Sequence, residues 1–135
     1  MKKINCILLV DDNETDNEFH ISRILKSGVC DNVKVAEDGQ KGLEYIHKAI
    51  QDDTEYPKPD IIFLDINMPK VNGFEFLEEY HKLADGMKSK TIIIMLSTSL
   101  NPDDRAKALK YKEVGEFQYK PLTIDVIKEI SEKYF

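Results

Sequence analysis

Five side chains with reactive or ionic chemistry stand where strand-like runs stop. Ile7-Leu8-Leu9-Val10 runs into Asp11-Asp12, Ile61-Ile62-Phe63-Leu64 into Asp65, Thr91-Ile92-Ile93-Ile94-Met95-Leu96 into Ser97, and Glu116-Phe117-Gln118-Tyr119 into Lys120. Singly, each has a plain reading: an Asp after a strand starts a turn or caps a helix, a Lys-Pro step marks a helix boundary, and Ser97-Thr98-Ser99 leads into a turn. As a set they point to phosphoryl chemistry. Three carboxylates brought together repel, and at least one has its pKa raised unless a counter-charge intervenes. A divalent metal removes that conflict. An all-oxygen set without histidine or cysteine selects a hard ion, and two or three carboxylates with positions left for water and phosphate suit Mg²⁺ better than a Ca²⁺ cage. Lys120 adds a fixed ammonium and Ser97 a neutral hydroxyl donor, so metal, ammonium and hydroxyl surround one spot as the oxygens of a phosphoryl group require. Asp65 is then the expected nucleophile, forming an acyl phosphate.

For these groups to meet, their strands must run parallel and end at one edge. The apolar runs at Ile7–Val10, Ile61–Leu64 and Thr91–Leu96 have no polar interruption, as expected of strands buried on both faces. Val33-Lys34-Val35-Ala36 alternates as a more exposed strand, and Glu116–Tyr119 is a short fifth one. Between them lie helical patterns: Phe19, Ile21, Ile24 and Leu25 closed by Gly28; Leu43, Ile46, Ala49 and Ile50; Phe76, Leu77, Tyr80, Leu83 and Ala84, broken near Asp85-Gly86; a weakly apolar helix from Asn101-Pro102 through Ala106 and Leu109; and Val126, Ile127, Ile130 and Tyr134 after a Thr123 cap. Met68-Pro69 and Asn72-Gly73 are turn signals, so Asp65 enters a tight loop before a helix. Residues 51–60, acidic and bearing Pro57 and Pro59, read as a surface loop. Strands alternating with helices select an α/β fold, a five-stranded parallel sheet doubly wound by helices on both faces with right-handed crossovers. In such sheets ligands bind at the carboxyl ends of the strands.

Composition narrows the function class. The 135 residues are expected to form one domain, 1–135, with 41% hydrophobic and 33% charged residues, an ordinary globular balance. A net charge of −6, with lysines interspersed among acids, argues against nucleic acid as a partner. Cys6 and Cys30 have no CxxC spacing and are expected to be reduced and structural, in keeping with a cytoplasmic protein. The apolar run after Met1-Lys2-Lys3 is too short for a signal peptide, and no membrane partner is expected.

Four motifs together resemble the receiver domain of two-component response regulators, over essentially the whole chain: Val10-Asp11-Asp12; Leu64-Asp65-Ile66-Asn67-Met68-Pro69 with Asn72-Gly73; Met95-Leu96-Ser97; and Tyr119-Lys120-Pro121. The resemblance implies a flavodoxin-like (βα)5 fold with strand order 2-1-3-4-5. It implies that Asp65 accepts a phosphoryl group from a phosphohistidine on a sensor histidine kinase or histidine phosphotransfer protein. It also implies that Asp12, Asp65 and the backbone carbonyl of Asn67 bind Mg²⁺ directly, Asp11 acting through a water, and that Lys120 pairs with the phosphorylated Asp65. Ser97 would swing toward the phosphoryl oxygen, and Phe117, three residues before the lysine, matches the aromatic that turns inward when the hydroxyl moves. The family often has threonine and tyrosine at those two positions, and the loop at 51–60 is longer than in its most compact members. Since the chain ends soon after the last helix, the expectation is a stand-alone receiver, a signalling switch and not an enzyme, monomeric or weakly dimeric, acting on a downstream protein.

The rival readings are a degenerate receiver serving as a protein-binding scaffold without phosphorylation, and a haloacid-dehalogenase-like phosphatase. The phosphatase family places a second Asp two residues after the nucleophile, where this chain has Asn67. A P-loop is absent from the sequence, and Asp11-Asp12 would repel the phosphate of a flavin.

Overall fold

The structure, a computed structural model, describes residues 4–52, 54–68, 70–83, 91–98 and 101–135. The expected break at Asp85-Gly86, together with Pro69, Ala84 and Ser99, lies outside the described residues. The described elements run β1 (Ile7–Val10), α1 (Glu14–Ser27), β2 (Val33–Ala36), α2 (Gly39–Gln51), β3 (Ile61–Asp65), α3 (Gly73–Lys82), β4 (Ile92–Ser97), α4 (Pro102–Ala108), β5 (Val114–Tyr119) and α5 (Ile124–Tyr134). The five strands form one sheet in the order β2-β1-β3-β4-β5, every neighbouring pair parallel.

The period-2 alternation of strand side chains divides the core in two. Leu8, Val10, Ile62, Leu64, Ile93 and Met95 point to one face and pack with Ile46, Phe76, Leu77 and Tyr80 of α2 and α3. Ile7, Leu9, Ile61, Phe63, Ile94 and Leu96 point to the other and pack with Ile24 of α1 and Ile127 and Ile130 of α5. The central runs carry no polar residue because both faces are covered. Burial of a side chain such as Phe76 contributes about 1.5–3 kcal/mol.

Helix phases and one strand differ from the sequence expectation. On α1 the buried positions are Asn17, His20 and Ile24, whereas Phe19 and Leu25 are 38% and 48% exposed. The helix turns polar groups inward because its N-terminal half abuts the charged edge of the sheet, and Phe19 instead carries the Arg23 guanidinium over its ring at 4.6 Å. Ile50 is likewise exposed, while Ile46 and Ala49 anchor α2. On α4, Ala106 and Leu109 face solvent and Ala108 alone is buried, since a seven-residue helix lying over the edge strand offers the core one turn face. Strand β5 begins two residues early, at Val114, because Val114 buries opposite Ile93, with a register shift between Ile93 and Ile94 absorbing the extra residue.

The loop at 54–60 is pinned to the body. Tyr45 donates its hydroxyl to the Pro57 carbonyl at 2.7 Å and meets Tyr56 edge-on at 5.8 Å.

Candidate functional site

Each chemical side chain is placed by the end of a strand. Asp11 follows β1 and is buried; its Oδ1 accepts the Asn13 N–H at 2.9 Å, and its carbonyl accepts from Asn17 Nδ2 at 2.9 Å. Asp12, next in the chain, is exposed. Asp65 is the last residue of β3 and Ser97 the last of β4, both buried. Lys120 follows β5 and donates its backbone N–H to the Ser97 carbonyl at 3.0 Å, which ties the two strand ends together.

The loop after Asp65 is clamped by the start of α3. Asn72 caps that helix in a reciprocal box with Glu75, and Gly73 donates its N–H to the Ile66 carbonyl at 2.8 Å. A Cβ at Gly73 would stand 2.6 Å from the Asp65 carbonyl, so only glycine lets the helix start this close to the strand end. Asn67 sits exposed in this loop.

One ammonium serves three carboxylates. Lys120 Nζ lies 2.7 Å from Asp11 Oδ2, 2.9 Å from Asp16 Oδ2 and 3.4 Å from Asp65 Oδ1, with its side chain only 9% exposed. Burial alone would lower the Lys120 pKa, but the hydrogen bonds to Asp11 and Asp16 and the charges of Asp65 and Asp11 outweigh it and hold the ammonium charged. Asp65 goes the other way. Burial, then the charge of Asp11, pushes its carboxyl up to about 6, with Asp12 adding to the rise and Lys120 opposing it. One lysine therefore does not neutralise the cluster.

Carboxylate oxygens of Asp11, Asp12 and Asp65 lie within 4.8 Å of one another. This is an all-oxygen set carrying excess negative charge, since Asp11, Asp65 and Asp16 share the one Lys120 ammonium, so the residues fit a hard divalent cation. The other sequence-derived residues fall nearby. Phe117 is 6% exposed, paired in register with Met95 and edge-on to Tyr119 at 5.3 Å.

Three α1 residues belong to this site and were not found by apolar patterning. Asp16 is the second partner of Lys120, Asn17 holds the Asp11 carbonyl, and buried His20 accepts the Leu122 N–H at 3.2 Å through Nε2. The available signal was the polar i, i+3, i+4, i+7 stripe Asn13, Asp16, Asn17, His20, one face of a helix that begins beside the carboxylates.

A family model, that of the response regulator receiver domain, matches residues 7–132. Response regulator Rcp1 of Synechocystis is 32% identical over 102 residues, which are 73% of this chain and 65% of that protein, so the chain spans just under two thirds of its length. A two component response regulator from Cytophaga hutchinsonii superposes with a TM-score of 0.89 at 29% identity, covering 98% of each chain. The phosphorylated cyanobacterial phytochrome response regulator RcpA superposes with a TM-score of 0.78 at 28% identity, covering 96% of this chain and 92% of that one. The Mn²⁺-bound form of Rcp1 gives 0.71 at 28%, covering 94% and 89%. No described helix is long and apolar enough to cross a membrane. With the sheet order, the acidic trio at its carboxyl edge and the family model all in agreement, the chain belongs to the response regulator receiver domain family of two-component signalling.

Proposed function

We propose that residues 1–135 act as one phospho-accepting switch, in which Asp65 takes a phosphoryl group from the phosphohistidine of a sensor histidine kinase or histidine phosphotransfer protein. The observation that carries this reading is the sharing of the Lys120 ammonium by Asp11, Asp16 and Asp65, which leaves a buried carboxylate at a strand end with cationic help on one side only. An Asp65 carboxylate oxygen bonds to phosphorus as the phosphorus–nitrogen bond breaks, and the electron pair leaves on the imidazole. Asp11, Asp12 and Asp65, with the Asn67 carbonyl, would hold Mg²⁺, which would supply charge to neutralise the phosphoryl oxygens. Lys120 exchanges part of its carboxylate pairing for a phosphoryl oxygen, and the Ser97 hydroxyl donates to another. The relatives described as phosphorylated and as Mn²⁺-bound lend support by similarity. In this reading the chain is a cytoplasmic signalling switch with no substrate turnover beyond its own phosphorylation and dephosphorylation. It signals to a downstream protein through the surface of α4, β5 and α5.

The test is incubation with Mg²⁺ and acetyl phosphate, followed by intact mass. A phosphate-sized gain that hydroxylamine removes and Asp65→Asn abolishes is expected. Full labelling of Asp65→Asn would move the acceptor elsewhere, and no labelling of the wild type would favour a phosphorylation-independent scaffold.

A further inference from the structure

The Lys120 ammonium is held by a carboxylate that neither phosphoryl acceptance nor the metal trio accounts for. Its three N–H donors have three carboxylates around them: Asp11 at 2.7 Å, Asp16 at 2.9 Å and Asp65 at 3.4 Å. Asp11 and Asp65 belong to the trio that fits a divalent cation, and Asp16 does not. Asp16 comes from α1, 104 residues away in the chain, and accepts a charge-assisted hydrogen bond from Lys120 Nζ.

Asp16 is fixed where it stands. It donates its N–H to the Asn13 side chain that caps α1, and its first-turn position puts a negative charge at the positive end of the helix. Asn17 and His20, on the same stripe of the helix, are both buried. Asn17 donates to the Asp11 carbonyl at 2.9 Å, and His20 accepts the Leu122 N–H at 3.2 Å. The stripe that presents Asp16 is thereby hydrogen-bonded to the end of β1 and to the loop after β5 that carries Lys120 itself.

The conflict that Asp16 resolves is between two cations. Lys120 contacts Asp11 and Asp65, the same groups a divalent ion needs, and two cations drawn to the same carboxylates repel. For the ion to enter, the ammonium must give up part of those contacts. Its side chain is only 9% exposed, so water does little to replace them. Asp16 offers a carboxylate that the ion does not use, at 36% exposure, where an ion pair costs less desolvation than inside the trio.

We propose that Asp16 is a positioning residue of the proposed phosphoacceptor site: it holds the Lys120 ammonium on the α1 side of the cluster, so that Asp11 and Asp65 are open to a divalent cation while the ammonium stays within reach of Asp65. This role rests on the reading of the trio as a Mg²⁺ site and adds to it a residue outside the trio.

The test is titration of the full chain with magnesium chloride, followed in amide correlation spectra, for wild type, Asp16→Asn and Glu14→Gln. Glu14→Gln removes the same charge from an exposed first-turn position of α1 and so reports the longer-range field alone. Asp16→Asn is expected to weaken Mg²⁺ binding about fivefold or more, and Glu14→Gln less than about twofold. In a Lys120→Met background the effect of Asp16→Asn should fall to the Glu14→Gln level, because Asp16 then has no ammonium to hold. If Lys120→Met does not fold, the Lys120 ammonium signal in nitrogen spectra of the Mg²⁺-saturated protein replaces it: that signal should stay visible in wild type and be lost to solvent exchange in Asp16→Asn. Equal effects of Asp16→Asn and Glu14→Gln, an Asp16→Asn effect unchanged by Lys120→Met, or the same ammonium signal in both proteins would overturn the role. A wild type that binds no Mg²⁺ would instead overturn the reading of the trio, and the role of Asp16 with it.

Discussion

Replacing Asp65, the proposed phosphoacceptor, should stabilise the metal-free protein at neutral pH, although Asp65 touches a lysine. The Asp65 side chain is 10% exposed, and burial followed by the Asp11 charge raises its pKa from 3.8 to about 6, against the opposing pull of Lys120 at 3.4 Å. That displacement corresponds to about 3 kcal/mol by which the folded state prefers the protonated carboxyl. A raised folded pKa contributes stability that is fully present below the unfolded value and is lost as pH rises through the folded one. Near pH 8 the ionised carboxylate therefore carries the whole cost. Asp65→Asn substitutes a neutral group of the same shape, while Lys120 keeps Asp11 and Asp16 at 2.7 and 2.9 Å. The lost Lys120 contact offsets part of the gain, so the variant should be more stable by about 1–3 kcal/mol, or roughly 3–10 °C in Tm for a chain of this size. The assay is thermal and urea denaturation followed by circular dichroism in EDTA from about pH 4 to 8. The gap should shrink through pH 6 and close near pH 4. A variant less stable than wild type at pH 8 without metal, or a gap that does not change with pH, would refute the reasoning.

Mg²⁺ should raise the Tm of the wild type by mass action, and Asp12→Ala should remove that increment while melting slightly higher in EDTA, because one like charge has gone from the trio; an equal Mg²⁺ shift in both proteins would show that Asp12 is not a ligand. His20 has its pKa lowered by burial and then by the Lys120 ammonium, with Asp16 and Asp11 opposing, so stability should fall as pH drops below 6.5. His20→Gln, which keeps an acceptor for the Leu122 N–H, should flatten that limb of the stability profile, and an unchanged limb would exclude His20 as its source. Beryllofluoride, a phosphoryl mimic, should alter amide exchange from Asn101 to Tyr119, where α4 has one buried residue to hold it; a change confined to the loop after Asp65 would count against a switch through Ser97 and Phe117.

Strand ends were legible because burial on both faces leaves an unbroken apolar run, and a polar residue can follow only where the strand emerges. Asp11, Asp65 and Ser97 were placed on one edge by that rule, Lys120 by the short mixed strand Glu116–Tyr119 that it ends, and the motifs carried by the resemblance supplied the order β2-β1-β3-β4-β5 that the structure has. The two cysteines, expected to be reduced, are free and buried. Apolar periodicity reported a helix over α1 but not its phase, because it scores burial and assumes that what is buried is apolar. Asn17 and His20 are buried for their hydrogen bonds, so the stripe through Phe19 and Leu25 pointed to the wrong face. The pairing of Asp16 with Lys120 across 104 residues and the value near 6 at Asp65 were decided by tertiary structure alone. Each depends on distances between elements and on exclusion of water, and those are set only when sheet twist and helix packing bring the ends of separate strands together.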